Sequence, residues 1–313
     1  MTDKPLSNVS ASVRQRLLTL ARLRNEDFQR ILTQYALERL LYRLSQSVYA
    51  DRFTLKGALL FLLWMQEPHR RTKDMDLLGV GEATPERLAE LFGVLCVTPV
   101  EDDGLVFAPD TITAKPIRED NVYGGIRILL TALLGTARIP IQVDVGFGDV
   151  VTPPPRQAVF PTLLDFPAPQ LLVYSQETVI AEKLSAIVAL DFDNSRMKDF
   201  YDLWTLGHQF SYDGAVVREA SAATFARRGL SPPEQIPVGL TDAFAQDQQK
   251  RAQWKAFVRQ SAGAENHALS LTDVIAFLEE FLLPVLRAMS AGNAFESVWT
   301  PGGPWQANNG SKQ

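Results

Sequence analysis

The apolar positions of residues 10–47 recur at intervals of three and four along the chain. This spacing predicts amphipathic helices, and Asn25 marks the break between two of them. Residues 53–55 then form a short β-prone stretch, after which Gly57 permits a turn and residues 58–65 form an apolar run long enough for a buried helix. We therefore predict two helices followed by a strand, a glycine turn and a third helix.

Charged and apolar side chains alternate over residues 73–78, which predicts a half-buried strand. Asp74 and Asp76 then share one face of this strand, because side chains two positions apart point to the same side. A helix is expected to begin at Pro85, with Thr84 as its N-cap. Further β-type segments follow at residues 105–107, 111–114, 125–133 and 139–147.

A proline-rich segment at residues 152–170 separates this mixed part of the chain from a part in which helical periodicity dominates. Repeated prolines remove backbone donors and fix φ, so the segment is predicted as a domain boundary. The predicted fold class is α+β, with a mixed sheet flanked by helices and followed by an α-helical lobe. The predicted domains are residues 1–155 (the sheet with the N-terminal helices), residues 156–298 (mainly α-helical) and residues 299–313 (a flexible tail rich in Gly, Pro, Asn and Ser).

Composition restricts the class of protein. With 313 residues, 46% hydrophobic and 21% charged, the chain is predicted to be a folded globular protein. The single cysteine, Cys96, excludes an internal disulfide, and three widely separated histidines argue against a zinc site. The longest apolar run is far shorter than the roughly 20 residues of a membrane span, and the N-terminus lacks signal-peptide character. We expect a cytoplasmic protein with no membrane association.

The net charge of −5 argues mildly against binding nucleic acid through a broad basic surface. Local clusters of basic residues weaken that argument. They are Arg70, Arg71 and Lys73; Arg227 and Arg228; and Lys250, Arg251, Lys255 and Arg259 within one predicted helix. Solvated helix faces are the common explanation of such clusters, so contact with nucleic acid stays open.

Three aspartates form the strongest candidate site. Asp74 and Asp76 on one strand face offer the hard oxygen ligands that Mg²⁺ requires, and metals bound in this way support phosphoryl transfer. The Asp-x-Asp motif alone is weak evidence, since Asp191 and Asp193 repeat it. Asp144 interrupts an apolar strand, where an unpaired buried carboxylate would cost several kcal/mol that a shared metal would offset. The alternative is that Asp144 points to solvent from an edge strand.

Two short segments offer contacts to a phosphate. Lys56 and Gly57 stand before the predicted buried helix, where backbone amides and a helix N-terminus favour an anion. Arg71 adds positive charge close to the aspartates, and Thr72 adds a hydroxyl group. A surface turn or a solvated loop is the ordinary interpretation of each segment.

A second group of charged residues lies in the helical half. Lys183 stands on an apolar helix stripe, where a lysine either extends to solvent or points into a cleft. Arg196 is expected to pair with Asp199 on one helix face. Lys198 is likewise expected to pair with Asp202. The sharper interpretation makes this helix the wall of a cleft in which Arg196 or Lys198 contacts phosphate.

Short segments occurring in a fixed order resemble the AbiEii/AbiGii family of nucleotidyltransferase toxins, which includes the MenT toxins and belongs to the DNA polymerase β-like nucleotidyltransferase superfamily. The matching segments are residues 35–44 (YALERLLYRL), 55–60 (LKGALL), 71–77 (RTKDMDL), 143–145 (VDV), 181–184 (AEKL) and 196–203 (RMKDFYDL). The resemblance covers residues 10–209, and the order and spacing of the segments make it far more specific than any one motif.

The resemblance implies a nucleotidyltransferase sheet domain followed by a helical lobe. It implies that Asp74, Asp76 and Asp144 hold Mg²⁺. Asp144 would also help to activate the hydroxyl of the acceptor, and Lys183 would contact the triphosphate of an NTP. Enzymes of this kind are the toxins of toxin–antitoxin pairs of the phage-defence type. The resemblance therefore implies a cognate antitoxin encoded nearby. It also implies that NMP is transferred to RNA, with the tRNA 3′ acceptor end as the favoured site, and that this transfer blocks translation.

Other positions either match or depart from the family pattern. Asp199 and Asp202 match its final acidic motif. Thr72 is the nearest hydroxyl where the family has Gly-Ser or a variant of it, and a bulkier side chain there alters the expected phosphate contact. Gly57 is followed by Ala58 where the family has a second glycine. The alanine restricts the φ and ψ angles accessible to residue 58. Neither departure removes a charge, so we expect an active enzyme.

Three other functions fit the same residues. Nucleotidyl transfer to a protein fits the negative net charge better than transfer to RNA does. A metal-dependent nuclease would use similar carboxylates and a nearby lysine but would need no NTP. A non-catalytic binding member of the fold would not depend on the aspartates.

Overall fold

The computed structural model of the protein describes residues 8–65, 70, 72–81, 84–117, 124–261 and 268–308. The chain divides into two compact units. The first unit comprises residues 1–67, 72–148 and 156–173, and the second comprises residues 68–71, 149–155 and 174–313.

The first unit is built on a seven-stranded mixed sheet. Its helices are α1 (Val9–Leu23), α2 (Phe28–Ser45), α3 (Phe61–Trp64) and α4 (Pro85–Cys96). Its strands are β1 (Phe53–Lys56), β2 (Asp74–Gly79), β3 (Leu105–Ile117), β4 (Gly125–Leu134), β5 (Ala137–Phe147), β6 (Arg156–Val159) and β7 (Gln170–Val173). The strand order is β3-β4-β5-β2-β1-β7-β6. Strand β2 runs parallel to β5 and β1 runs parallel to β7, whereas the other neighbours are antiparallel.

The ends of the helices in this unit follow the signals in the sequence. The break predicted at Asn25 is confirmed, since α1 ends at Leu23, α2 begins at Phe28, and Asn25 has a positive φ of 50°. Thr84 caps α4 as predicted, because its hydroxyl accepts a hydrogen bond from the backbone N–H of Arg87 at 3.2 Å. Local capping chemistry therefore sets where these helices start and stop.

Two predicted elements differ in extent from those observed. The segments 105–107 and 111–114 belong to the single strand β3, whose pairing with β4 shifts in register between Ala108 and Thr113. The irregularity interrupts the alternation from which a strand is recognised, so one strand resembled two. The helix predicted over residues 58–65 is shorter, because a 3-10 turn over Gly57–Leu60 leads into the four residues of α3.

Successive side chains of the central strands point to opposite faces of the sheet, one of which is apolar and the other polar. Met75 and Leu77 on β2, and Val143 and Val145 on β5, are buried almost completely. Helices α1, α2 and α4 pack against β4, β5 and β3, respectively. Burial of these apolar side chains against the helices assigns the intervening positions of each strand to the opposite face.

The second unit is mainly helical. Its helices are α5 (Gln176–Leu190), α6 (Met197–Gln209), α7 (Gly214–Arg227), α8 (Asp242–Gln246), α9 (Gln248–Ser261) and α10 (Leu271–Ser290). A small sheet of order β10-β9-β8 comprises β8 (Tyr212–Asp213), β9 (Ser297–Trp299) and β10 (Trp305–Ala307). The predicted α+β class, a mixed sheet flanked by helices and followed by a helical part, is confirmed. Among the described helices, none combines the length and apolar character that a bilayer crossing requires.

Two segments differ from the predicted domain limits: the strands β6 and β7, and the segment that begins at Trp299. Strands β6 and β7, which the predicted boundary after residue 155 assigns to the helical domain, pair with each other, and β7 pairs with β1 in the first unit. The predicted tail begins at Trp299, yet this side chain is fully buried and donates a hydrogen bond to the Gly207 carbonyl at 2.6 Å. Trp305 donates to the Phe281 carbonyl at 2.8 Å. Burial of the Trp299 ring and partial burial of the Trp305 ring outweigh the polar composition of this segment. Residues 309–313 lie outside the described residues.

A buried charged network, which sequence reasoning missed, joins α2 to the segment before β3. Asp103 accepts hydrogen bonds from Arg39 Nε at 2.9 Å and from Arg43 Nη1 at 2.7 Å. Burial alone would raise the pKa of Asp103, but the hydrogen bonds and charges of the two arginines outweigh burial and hold it below its ordinary value. Glu38 is 1% exposed and accepts a hydrogen bond from the Leu163 backbone N–H at 2.7 Å. Burial raises the pKa of Glu38 to about 7.

Raising the pH from about 5 to about 8 is expected to lower the free energy of unfolding through Glu38. The pKa of this carboxyl group is ordinarily 4.5 and is about 7 in the folded state, so the folded state binds more protons within this range and loses stability as pH rises. The full shift corresponds to on the order of 3 kcal/mol. Glu38→Gln keeps an acceptor for the Leu163 N–H and should remove this pH dependence in urea titrations. Glu90→Gln on the exposed side of α4 is the control, and parallel pH profiles for wild type and Glu38→Gln would contradict the expectation.

Candidate functional site

A row of charged side chains crosses the polar face of the first unit's sheet. Its members are consecutive Cα partners on the adjacent strands β4, β5, β2 and β1: Arg127, Asp144, Asp76 and Lys56. Paired residues project to the same face, and neighbouring strands lie about 4.8 Å apart. In this charged row, two carboxylates therefore occupy the centre and a cation stands at each end.

Asp74 lies on the same face, two positions before Asp76 on β2, and its partner on β5 is Gln142. The structure thus brings the three predicted aspartates, which are separated by up to 70 positions of sequence, to one face of one sheet. The parallel pairing of β2 with β5 is what places Asp144 beside Asp76.

Gly57 is required by the position of Asp76. Its φ of +73° lies in the region that favours glycine, and a Cβ at this position would lie 2.0 Å from Asp76 Oδ2. Any side chain at residue 57 would therefore displace the Asp76 carboxylate. The predicted importance of Gly57 has a physical basis in this contact, which differs from the phosphate contact that the sequence suggested.

Arg127 holds Asp144 in a two-point ion pair. Arg127 Nε and Nη2 donate to Asp144 Oδ1 and Oδ2 at 2.8 and 2.7 Å, and Gln142 Nε2 donates to the same two oxygens at 3.3 and 3.2 Å. The hydrogen bond to Asp144, together with the negative charges of Asp144, Asp74 and Asp76, raises the pKa of Arg127. Strand β5 lies between β4 and β2, so the alternative in which Asp144 sits on an edge strand is wrong. Sequence reasoning missed Arg127.

The carboxylates of this face fit a divalent cation in chemistry but not yet in arrangement. They supply the oxygen donors that Mg²⁺ prefers. As the structure stands, no group of three or more His, Cys, Asp or Glu side chains among the described residues is arranged to hold a metal ion. Asp144 accounts for part of this, since both of its oxygens are bound to Arg127. The donor set therefore fits Mg²⁺ chemically, on the condition that Asp144 exchanges the guanidinium for the metal.

Arg127→Met is expected to raise the affinity of the protein for Mn²⁺, used as a spectroscopic substitute for Mg²⁺, by several-fold. The variant removes a cation that competes for Asp144 while leaving the strand pairing intact. Electron paramagnetic resonance of free Mn²⁺ in the absence of NTP measures the affinity directly. Arg138→Met, an exposed arginine on the same strand as Asp144, makes the same change in net charge and should have little effect. Unchanged or weaker Mn²⁺ binding by Arg127→Met would contradict the exchange.

Lys56, Arg71 and Thr72 are the remaining candidates from the segments before β2. Lys56 is half-buried at one end of the charged row. The Thr72 hydroxyl lies 3.4 Å from the backbone carbonyl of Asp74, to which it donates a weak hydrogen bond. Arg71 lies outside the described residues.

A second charged cluster lies within the second unit and surrounds Lys183 on α5. Lys183 Nζ contacts Asp199 Oδ1 at 2.6 Å and Asp202 Oδ2 at 2.9 Å, and both aspartates belong to α6. Arg70 binds Asp202 at two points, at 2.6 and 2.9 Å, and Arg196 Nε contacts Asp199 Oδ2 at 3.0 Å. We refer to these residues as the Lys183 cluster. It contains three cations and two carboxylates and so carries a net positive charge.

Lys183 and Asp199 stay ionised despite their burial. Asp199 and Asp202 are 2% and 0% exposed. Burial would lower the pKa of Lys183, but the charges of Asp199 and Asp202 outweigh it and raise that pKa. Burial would likewise raise the pKa of Asp199, and the charges of Lys183 and Arg196 lower it instead. Arg196, whose side chain is 41% exposed, is the most accessible cation of the cluster.

The ion pairs predicted for α6 agree with the structure in part. The Arg196–Asp199 pair is confirmed at 3.0 Å. The Lys198–Asp202 pair is wrong, because Asp202 lies on the buried side of α6 and binds Arg70 and Lys183, whereas Lys198 is exposed. Spacing along the helix allowed the predicted pair, but burial decided the partner.

A family model supplies the decisive comparison. The model described as "Nucleotidyl transferase AbiEii toxin, Type IV TA system" matches residues 39–280, which is most of the chain and includes every candidate site residue. The chain belongs to the AbiEii family. The protein is therefore a nucleotidyltransferase of the toxin–antitoxin type, and the family implies an NTP substrate and an antitoxin partner.

Solved structures similar to this AbiEii protein come from Helicobacter pylori. JHP933 has 13% sequence identity and a TM-score of 0.46, and the alignment covers 85% of this chain and 91% of JHP933. A second H. pylori protein, assigned provisionally as a nucleotidyltransferase, has 12% identity and a TM-score of 0.46, with 85% of this chain and 94% of the other covered. No protein with a curated description matches the sequence.

The AbiEii motifs therefore account for the aspartates and Lys183 but not for their partners. Arg127 sits in a β segment without any motif, and Arg70 belongs to a cluster of basic residues that the sequence does not link to Asp202. The signal that could have found Arg127 is a pairing register of β4 with β5, since that register sets it opposite Asp144. No comparable local signal marks Arg70 as the partner of Asp202.

Proposed function

We propose that this AbiEii toxin transfers NMP from an NTP to RNA, at the 3′ acceptor end of tRNA, in a Mg²⁺-dependent reaction in the cytoplasm, and thereby blocks translation. The supporting observation is the charged row, in which Asp76 and Asp144 are Cα partners on parallel strands with Asp74 on the same face. Family membership supports the class of reaction and an NTP as the donor.

Asp74, Asp76 and Asp144 are the residues proposed to hold Mg²⁺. When bound there, Mg²⁺ would neutralise charge on the phosphates of the NTP. The acceptor hydroxyl oxygen forms a bond to the α-phosphorus, the bond from that phosphorus to pyrophosphate breaks, and the hydroxyl proton passes to the Asp144 carboxylate. Gly57 leaves room for the Asp76 carboxylate, since a Cβ at residue 57 would lie 2.0 Å from Asp76 Oδ2.

The cations are proposed to act on the phosphates. Lys183 contacts the triphosphate, and Asp199 and Asp202 act through Lys183 by holding its ammonium group at 2.6 and 2.9 Å. Positions proposed to add phosphate contacts are Lys56, Arg71, Thr72, Arg196 and Lys198. The net positive charge of the Lys183 cluster favours an anionic ligand.

A second acceptor class is a protein side chain. The net charge of −5 favours it, because a polyanionic acceptor is repelled by an acidic protein at long range. The chemistry at the α-phosphorus is the same for a protein hydroxyl. The two proposals therefore differ only in whether RNA or a protein carries the transferred nucleotide.

The test is incubation of the purified protein with total RNA, cell protein and each labelled NTP in Mg²⁺. We expect the label in a tRNA-sized band that ribonuclease removes and protease does not. Label that protease removes would establish the protein acceptor instead. Cleavage of RNA without added NTP would identify a nuclease, and no label with any NTP would overturn the proposed transfer.

A further inference from the structure

Helix α9 of the second unit presents an exposed basic face. Its 14 residues contain four basic side chains and no acidic one, although the chain as a whole has 36 acidic and 31 basic residues. Arg251, Lys255 and Arg259 are exposed and recur every four positions. We refer to these three residues as the α9 basic face.

The spacing of these cations suits an extended polyanion. Residues four apart on a helix lie on one side of it and are separated by about 6 Å along the axis. Within the part of the chain that the structure describes, none of the three side chains is within ion-pair distance of a carboxylate. Like charges at this spacing destabilise a helix by about 0.2–0.5 kcal/mol per pair. Repulsion among the three charges therefore opposes the helix, although Arg259 Nε donates a hydrogen bond to the Lys255 carbonyl at 3.3 Å in its last turn.

The fourth cation of α9 has a different environment, which separates it from the exposed three. Lys250 is 4% exposed, and its ammonium group donates to the Asn194 carbonyl at 3.1 Å. It also lies 5.2 Å from the centre of the Phe244 ring. Lys250 therefore has a structural role in the interior of the unit. The three exposed cations make no comparable buried contacts with the residues that the structure describes, so packing does not account for their presence on α9.

Helix α9 is held against α6, which carries Asp199 and Asp202 of the Lys183 cluster. Tyr201 on α6 packs against the rings of Trp254 and Phe257 on α9, at 6.4 and 5.6 Å between ring centres. Trp254 and Phe257 contact α6, whereas Arg251, Lys255 and Arg259 recur on a different, exposed side of α9. The aromatic packing therefore fixes α9 against α6 and leaves the three cations accessible.

We propose that the α9 basic face binds the phosphate backbone of the RNA that accepts the nucleotide. This inference rests on the proposed function, since it assigns a surface to the RNA acceptor of that reaction. Charge complementarity selects RNA over a protein acceptor here, because three unpaired cations at regular spacing match a regularly charged strand. The net charge of −5 argues against an attraction spread over the whole surface, so a local group of cations is needed to bind RNA.

The test compares a triple variant with a matched control. Arg251→Gln, Lys255→Gln and Arg259→Gln together remove the three charges while keeping residues that favour a helix. The control replaces Arg22, Arg24 and Arg52, three exposed arginines of the first unit, with Gln and changes the net charge equally. Fluorescence anisotropy of a short labelled single-stranded RNA, without NTP and over a range of salt concentrations, measures affinity. Circular dichroism verifies that both variants are folded.

We expect the α9 triple variant to bind the RNA about tenfold or more weakly than wild type, with a salt slope smaller by about 2, whereas the control resembles wild type. Equal binding by wild type and the α9 triple variant would show that the α9 basic face does not bind RNA. The proposal of an RNA acceptor would be unaffected by that result. An equal loss in the control would also overturn the α9 basic face, since the effect would then come from net charge alone. No RNA binding by wild type would overturn both the surface and the RNA acceptor, and would favour a protein acceptor.

Discussion

Asp76→Asn is expected to lower the rate of nucleotidyl transfer by about a thousandfold or more. The substitution preserves the size of the side chain, and therefore its packing against Gly57, but removes the charge at the centre of the charged row. Loss of one carboxylate from a metal-dependent phosphoryl-transfer site weakens stabilisation of the transition state by roughly 4 kcal/mol, which corresponds to this factor. Steady-state transfer of labelled NMP to RNA, under saturating NTP and Mg²⁺, is the measurement.

The second Asp-x-Asp motif provides the control for this variant. Asp193 is exposed in the second unit, so Asp193→Asn makes the same chemical change away from the charged row and should leave transfer unchanged. Urea denaturation should show that Asp76→Asn is folded. Transfer by a folded Asp76→Asn at the wild-type rate would show that the charged row is not the catalytic site.

Lys183→Met is expected both to destabilise the protein and to abolish transfer. The variant leaves Asp199 and Asp202 buried with fewer cations, and breaking a buried ion pair on one side costs about 3 kcal/mol or more. Adding Asp199→Asn removes one of the two buried carboxylates that lost the Lys183 cation, so the double variant should regain much of the lost free energy of unfolding. It should not regain transfer, since the proposed triphosphate contact is still missing. Urea titrations and labelled transfer measure the two effects separately.

The double variant distinguishes a structural role for Lys183 from a functional one. Recovery of stability together with recovery of transfer would show that Lys183 acts only by balancing Asp199 and Asp202. Equal stability of the single and double variants would show that the Lys183–Asp199 contact contributes little to the fold. The expected result, in which stability recovers and transfer does not, separates the two roles.

Much of the fold and part of the candidate site could be predicted from local patterns. The alternation around Asp74 and Asp76 predicted that they share a strand face, and a polar residue within an apolar strand singled out Asp144. The motif segments predicted the nucleotidyltransferase class, which the family match establishes for residues 39–280. A flexible tail is the wrong prediction for residues 299–307, because Trp299 and Trp305 pack against residues that are distant in the sequence.

The sequence by itself determined which side chains carry charge, which faces of the helices and strands are apolar, and which family the protein resembles, because periodicity and motifs depend on neighbouring residues. Only the tertiary structure decided the partners. Arg127 reaches Asp144 through the register of β4 with β5, and Asp202 binds Arg70 across 132 positions of sequence. Strand register and buried ion pairs depend on the packing of the whole unit, and the spacing of residues along the chain carries no direct record of it.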